Sequence, residues 1–485
     1  MTWHAYAGEF VVSRWLFQRG LAAIYIVAFA TALAQFPALL GERGLLPVPR
    51  FVAVVPFRTA PSIFHLHYSD RFFRATAWIG VLLSLAALTG VTDAAPPALS
   101  IAMGLVLWAL YLSIVNVGQI FYGFGWESML VEAGFFAAFL GPARQPAPLV
   151  VVFLLRWILF RVELGAGLIK LRHDACWRDL TCLFFHYETQ PLPNPLSFRA
   201  HRLPRLLLRG GVVFSHFVQV VVPFGLFAPR PVAAICAGLA IWHQLMLIAS
   251  GNYAWLNWLT IVLGVTALDD SVLRPLFPFV PEPALAHPAN VAGYGVLAAV
   301  TGILSIRPTL NFFSKHQLMN HSYNPLHLVN AYGAFGSVTR ERFEVIVEGT
   351  AATDADGEWR EYEFKAKPGD PMRRPPQMAP YHLRLDWLMW FLPLSVTIVD
   401  DQPWLRHVPE RWFIRFVEKL LEQDGPVLKL LRSNPFPTTA PARIRATLYR
   451  YEFTTPAERK STGAWWKRRR MGEYLPPVSL DDLRS

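Results

Sequence analysis

The stretch PLVVVFLLRWILFRVELGAGLIKL (Pro148–Leu171) decides what kind of molecule this is. It is long enough for a helix to cross the hydrocarbon of a bilayer, which takes about 20 mainly apolar residues. Yet it carries Arg156, Glu163 and Lys170, which recur every seventh residue. At that spacing a helix drifts only about 20° per step, so the three share one face. A charge at the centre of a membrane costs at least ~2.5–3.5 kcal/mol, so such a stripe should face a bundle interior or a wet cavity. Consecutive members lie about 10.5 Å apart along the axis, too far to pair with one another. Their partners must come from other helices, and Glu127 and Glu132 are candidates. Gly165 and Gly167 mark a place where a neighbouring helix can approach closely. Two readings stay open: a polar network that fixes helix register, or a substrate or proton site.

Further runs of spanning length flank this one at 21–40, 74–92, 98–118, 207–228, 231–250 and 290–306, with weaker ones at 127–141 and 253–268. The expected fold is therefore an α-helical polytopic membrane bundle of seven to nine spans. Composition agrees. Hydrophobic residues make up 53% of the 485 and charged ones 16%, where a soluble chain carries roughly a quarter. The run from Leu21 is long enough to span rather than to be trimmed, so Met1–Arg19 is not expected to be a cleaved leader. The net charge of +11 comes largely from loop and tail arginines, which suit anionic lipid headgroups. No nucleic-acid-binding motif occurs, so membrane lipid is the expected partner.

Two long connections, 42–73 and 171–206, are rich in proline and aromatics, which argues for order. Loops this long are commonly functional. With nine spans both lie on the side of the C-terminal part. Their arginines, among them Arg43, Arg50, Arg58, Arg71 and Arg74, would mark that side as cytosolic unless they serve ordered loops. Beyond Asn311 the charge rises and a C-terminal α+β soluble domain is expected. Phe343–Gly349 and Trp359–Lys367 read as a hairpin about a turn at Thr353–Gly357, and Arg443–Phe453 as another strand. Leu385–Leu394 and Trp412–Glu422 have helical spacing. The expected organisation is a membrane domain over 1–310, an α+β domain over 311–460 and a basic, aromatic tail over 461–485. In that tail Trp465-Trp466-Lys467-Arg468-Arg469-Arg470 reads as a membrane-interface anchor or as an exposed basic run.

Chemistry-bearing candidates are few. His243 in the run 231–250 is either a hydrogen-bonded core residue or a catalytic group, and Asn116 ends another run. Cys176 and Cys182 either close one small bridge, if their loop faces an oxidising compartment, or stay reduced. His65 and His67 lack companions at ligand spacing, so no metal is expected. No P-loop, Gly-x-Ser-x-Gly or His-Glu-x-x-His occurs, and no cofactor is implied.

Several segments resemble the lipase maturation factor family. They are Tyr122-Gly123-Phe124-Gly125-Trp126-Glu127-Ser128, Cys176-Trp177-Arg178-Asp179-Leu180-Thr181-Cys182 and the ten residues His186-Tyr187-Glu188-Thr189-Gln190-Pro191-Leu192-Pro193-Asn194-Pro195. Asn330-Ala331-Tyr332-Gly333, Leu385-Asp386-Trp387 and Asn434-Pro435-Phe436-Pro437 continue the likeness through the C-terminal part. The resemblance implies a role in folding secreted lipases, with the client held by loops and C-terminal domain. It implies the endoplasmic reticulum membrane in a eukaryote and the inner membrane in a bacterium. The animal members help dimeric lipases assemble, partly through redox support. A fainter likeness links Ala166-Gly167-Leu168-Ile169-Lys170-Leu171 to vitamin K-dependent carboxylases and related multi-span (HTTM-type) proteins. That implies the alternative of a membrane enzyme with Lys170 as base, since a lysine desolvated in a low-dielectric site becomes usable for proton transfer. A transporter ranks last, because no internal repeat is seen.

Overall fold

The computed structural model describes residues 10–143, 145–281, 291–353, 357–399, 402–405 and 409–484. All nine apolar runs are helical. They are α1 (Val11–Leu40), α2 (Asp70–Thr89), α3 (Pro97–Asn116), α4 (Gly125–Ala138), α5 (Leu149–Arg172), α6 (Arg205–Gly225), α7 (Val232–Ser250), α8 (Leu256–Val265) and α9 (Val291–Phe313). Six of them, α1, α2, α3, α6, α7 and α9, are long and apolar enough to cross a membrane. α5 has the length but carries its charges inside, and α4 and α8 are shorter. Local chemistry sets several ends. Ser69 Oγ accepts the Phe72 amide at the start of α2, and Gly90, at φ 87°, lets the chain turn out of it. Within α6, Phe217–Val221 is a π-helical turn.

The chain runs back and forth between two ends. One end gathers the connections 41–69, 117–124, 173–204 and 251–255, and the C-terminal half packs on it. There Gln119 Nε2 donates to Leu46 O, Asn252 Nδ2 to Leu192 O and Gln35 Nε2 to His382 O. The opposite end joins α1 to the connections 90–96, 139–148 and 266–281, through Val12 N to Asp270, Arg19 to Asp93 and Gln18 Nε2 to Gly141 O. Helices on the outside keep apolar side chains exposed, such as Trp78, Leu82, Ile235 and Ile303. A bilayer covers such a surface where water would not.

The C-terminal half is built on a four-stranded antiparallel sheet in the order β2 (Arg360–Glu361), β1 (Arg342–Thr350), β5 (Arg443–Phe453), β6 (Trp466–Val478). A separate hairpin pairs β3 (Val396–Val399) with β4 (Gln402–Leu405). Among the helices that accompany the sheet are α10 (Arg384–Met389) and α11 (Arg411–Leu421). The α11 face Trp412, Phe413, Phe416, Val417, Leu420 and Leu421 is buried, at the period expected of one packed stripe. One apolar cluster runs unbroken from the bundle (Phe121, Trp126) into this half (Leu385, Trp387).

Two sequence expectations need correction. The second arm of the hairpin holds only two paired residues, Glu348 facing Glu361 and Gly349 facing Arg360. After Tyr362, whose amide still donates to Val347 O, the chain leaves β1: Glu363 O accepts the Arg432 amide, and further on Asp386 accepts the Ala366 and Lys367 amides. Residues 354–356 of its expected turn lie outside the described residues, as do Met1–Glu9 of the N-terminal reading and Asn290 of the last run. The stretch 461–485 is not a tail: most of it is β6, with Trp466 opposite Phe453 and their rings stacked 4.1 Å apart. Trp466 is buried and Trp465 lies under the Arg459 guanidinium, so neither is an interface anchor. Register shifts in β6 mask its alternation in the sequence.

Candidate functional site

The ten-residue stretch His186–Pro195 is where the bundle, its long loop and the C-terminal half meet. A short helix, Leu183–Thr189, turns His186 inward, 2.9 Å from Tyr253 Oη. That hydroxyl donates to Gln190 Oε1, while Gln190 Nε2 donates to Ser197 Oγ and to Ser250 O, both at 2.9 Å. Burial lowers the His186 pKa to about 3, so the imidazole is neutral at physiological pH. Asn194 accepts from the Leu196 and Ser197 amides and donates to Ala249 O and to Gln377 Oε1. Asn252 completes the seam, donating to Leu192 O, Pro193 O and Pro376 O and accepting from Met378 N and Ala379 N.

The C-terminal half grips the same stretch. Arg342 donates to Glu188 O, Gln190 O and Pro191 O while paired with Glu344, which Lys367 also neutralises at 2.9 Å. Glu188 Oε2 accepts the Phe453 amide, Trp390 Nε1 donates to Thr189 O, and Arg202 donates to Thr454 O. Burial raises the Glu188 pKa, and burial holds that of His201, 3.8 Å from Glu188, down to about 4. Tyr187 is half-buried, its ring in edge contact with His186.

The neighbouring segment is a second clamp. Cys176 and Cys182 are joined in a disulfide, both buried among Trp177, Val212 and Val338. Trp177 Nε1 donates to Phe335 O, and the Lys170 ammonium sits 4.8 Å from the Trp177 ring. Asp174 caps the Cys176 amide, accepts the Val338 amide and pairs with Arg340, which together hold its carboxyl at about 2, the Arg340 hydrogen bond contributing most. The Asp174, Cys176 and Cys182 donor atoms lie within 4.8 Å of one another, but two of them are bonded to each other. Arg178, on the Leu171 carbonyl, and Asp179 are exposed.

The expected intramembrane network divides into separate clusters. Glu163 accepts from Gln219 and Gln244, and Gln219 in turn accepts from Lys170 at 2.7 Å, so a neutral amide bridges acid and base. The π turn of α6 carries Gln219, and Gly167 is tight against it: a Cβ there would lie 3.0 Å from Gln219. Gly165 admits the Tyr332 carbonyl of an irregular segment instead of a helix. Arg156 lies apart, donating to Thr266 O and stacked on Phe10 and Phe153. His243 is buried at the edge of Phe214. Asn116 is at the bundle end, donating to Pro61 O and Pro325 O and accepting from His327.

Glu127 and Glu132 serve neither Arg156 nor Lys170. Glu132 forms a two-pronged pair with Arg161 and also accepts from Asn330 N, Asn330 Nδ2 and Tyr332 Oη. Glu127 pairs with Arg384 at 2.7 Å and accepts from Tyr111. Beside that pair Trp126 stacks on Phe124 and meets His382 and Trp387 edge-on. Both cations escaped the sequence reading. Arg161 stands in the quoted stretch itself, two residues before Glu163 and off the seven-residue stripe. Arg384 lies in the other half of the chain.

Residues 12–275 match the family model of the lipase maturation factor transmembrane domain, and residues 328–476 that of the lipase maturation factor C-terminal domain. The chain is 42% identical to lipase maturation factor 1 of Bos taurus, covering 99% of this chain and 91% of that one. It is 40% identical to lipase maturation factor 1 of Homo sapiens, covering 99% and 90%. With lipase maturation factor 2 of Homo sapiens it shares 29% identity over 97% of this chain and 83% of the relative. No solved structure matches.

Proposed function

The chain belongs to the lipase maturation factor family, and from that premise we propose that it is a membrane-anchored maturation factor that holds a folding lipase against the end of the bundle carrying the C-terminal half. The observation that carries this reading is the use of the family stretch. His186, Gln190 and Asn194 are buried and committed to internal hydrogen bonds. They therefore make a rigid platform rather than touch a client, and the client surface is what that platform displays. Phe391 and Leu394 are exposed next to Trp390, whose indole is tied to Thr189 of the stretch. Rigid presentation of apolar side chains suits a chain that has not yet buried its own.

The platform end faces the compartment in which the client folds. This is the endoplasmic reticulum lumen in a eukaryotic cell and the far side of the inner membrane in a bacterial one. A buried Cys176–Cys182 disulfide fits an oxidising side. The enzyme reading of Lys170 gains no support, since its ammonium is occupied by Gln219 and the Trp177 ring. The test is secretion of active lipase in cells that depend on this chain, comparing wild type with the double variant Phe391→Asp/Leu394→Asp. Active lipase should fall severalfold while the variant accumulates and melts as wild type does. Unchanged lipase output would remove this surface from the reading.

A further inference from the structure

The connection between α1 and α2 is built as a surface for charge. Arg43, Arg50, Arg58, Arg71 and Arg74 are all exposed, and among the described residues none of their side chains makes a hydrogen bond, ion pair or ring contact. The acids nearby are already used: Glu42 accepts the Asp70 amide, and Asp70 accepts from Glu42 N and Tyr68 Oη. Between the arginines stand Val54, Phe57 and Leu66, exposed to 82%, 56% and 86%. Water is a poor environment for those three: Phe57 meets the His65 ring edge-on yet stays largely open, and Val54 and Leu66 are almost wholly open among the described residues.

The segment is nonetheless fixed in place. Ser62 Oγ donates to Ser113 O, Ile63 N donates to Ser113 Oγ, and Asn116 Nδ2 donates to Pro61 O. His65 Nε2 donates to Val55 O at 2.9 Å, closing the loop on itself.

Its depth follows from α2. Arg71, Arg74, Trp78, Ile79, Leu82 and Leu85 are exposed on one helical face, while Phe73, Ala77, Gly80, Val81 and Ser84 are buried on the other. Along the exposed face, charge gives way to tryptophan and then to aliphatic residues. That order marks the boundary between headgroups and hydrocarbon. The boundary falls between Arg74 and Trp78, about 6 Å apart along the axis. Residues 43–69 therefore sit at headgroup level.

We infer that residues 43–74 form an interfacial docking surface for anionic phospholipid. The five guanidinium groups take phosphodiester oxygens, and Val54, Phe57 and Leu66 enter the outer edge of the acyl region. Guanidinium is suited to this because its planar fork meets two phosphate oxygens at once. A soluble acidic protein would match the arginines but leave the three apolar side chains unexplained.

The test uses the full chain in mild detergent, with bound lipid counted by native mass spectrometry during titration with phosphatidylglycerol, phosphatidylcholine or glycerol phosphate. The variants are Arg50→Gln/Arg58→Gln/Arg74→Gln and Val54→Ser/Phe57→Ser/Leu66→Ser. Because the arginine side chains make no internal contact among the described residues, thermal melting should not change in that variant, and it should change little in the apolar one, where only the Phe57 edge contact with His65 is lost. Wild type should retain phosphatidylglycerol over phosphatidylcholine, and the triple arginine variant should lose affinity about fivefold per cation removed. The apolar variant should weaken both lipids. Equal retention of the two lipids by wild type would overturn the inference, as would an arginine variant that binds phosphatidylglycerol normally. Glycerol phosphate competing as well as the intact lipid would instead assign a soluble anion site. Loss of an acidic client with lipid retention intact would assign a protein surface.

Discussion

The two ends of the bundle are held by different means. At the end carrying the C-terminal half, buried side chains reach across the chain to backbone carbonyls. Asn252 links Leu192, Pro193 and Pro376, and Arg342 links Glu188, Gln190 and Pro191. At the opposite end some bonds also reach carbonyls, Gln18 to Gly141 and Arg156 to Thr266, but ion pairs near the surface stand beside them, Arg19 with Asp93, Arg230 with Asp269 and Arg274 with Asp270. Directional bonds in a dry setting fix relative position, whereas partly exposed ion pairs are worth little and tolerate movement. The denser seam of directional bonds across the chain is the one at the end under the C-terminal half.

The largest expected effect comes from breaking that end. Arg384→Met strands the Glu127 carboxylate in a buried site, which should cost about 3–5 kcal/mol and expose the region around residue 384 to protease. Thermal unfolding with limited proteolysis checks it. The companion Glu127→Gln/Arg384→Met should recover part of the loss, and equal melting of all three proteins would deny the pair its role. Next comes the disulfide. Cys182→Ser opens a short loop, and removing it should cost about 2 kcal/mol by chain entropy. Denaturant midpoints with and without reductant measure it.

A smaller effect has a defined pH window. Burial holds His186 at about 3, and His201 and His382 at about 4, against an ordinary 6.5. Below that ordinary value the unfolded chain takes up protons that the folded chain refuses. The stability they confer is present above 6.5 and drains away as pH falls toward the folded values. Melting temperature should drop between about pH 7 and pH 5, and His186→Gln, which keeps a donor toward Tyr253, should flatten the slope. An unaltered slope would show that other groups set it. The least effect is expected at the opposite end, where Arg19→Met should cost about 1 kcal/mol or less. A loss as large as that of Arg384→Met would erase the contrast between the ends.

What the sequence disclosed follows the same division. The helices were legible because the bilayer demands long apolar runs, and each run stands as a helix. α11 and β5 were legible from local periodicity. Partner choice was not. Glu127 and Glu132 were visibly charges in need of counter-charges, but the seven-residue stripe made them candidates for its own cations, Arg156 and Lys170, while the fold supplies Arg384 and Arg161. The family stretch was conspicuous as a motif, yet no local pattern shows that its polar side chains face inward. β6 was hidden because Lys467–Arg470 has the composition of a tail, and only the pairing of Trp466 with Phe453 makes it a strand.

The seating of Asn330 and Tyr332 on Glu132, and of Arg384 on Glu127, has a bearing on how the molecule is made. Helices near the N-terminus leave the ribosome and enter the lipid long before those later residues exist. Until then two acidic groups wait in the bilayer with an incomplete set of donors, so the membrane half cannot reach its final state during its own synthesis. A chain truncated ahead of Asn330 would carry every apolar run and still leave both carboxylates short of the donors that Asn330, Tyr332 and Arg384 supply.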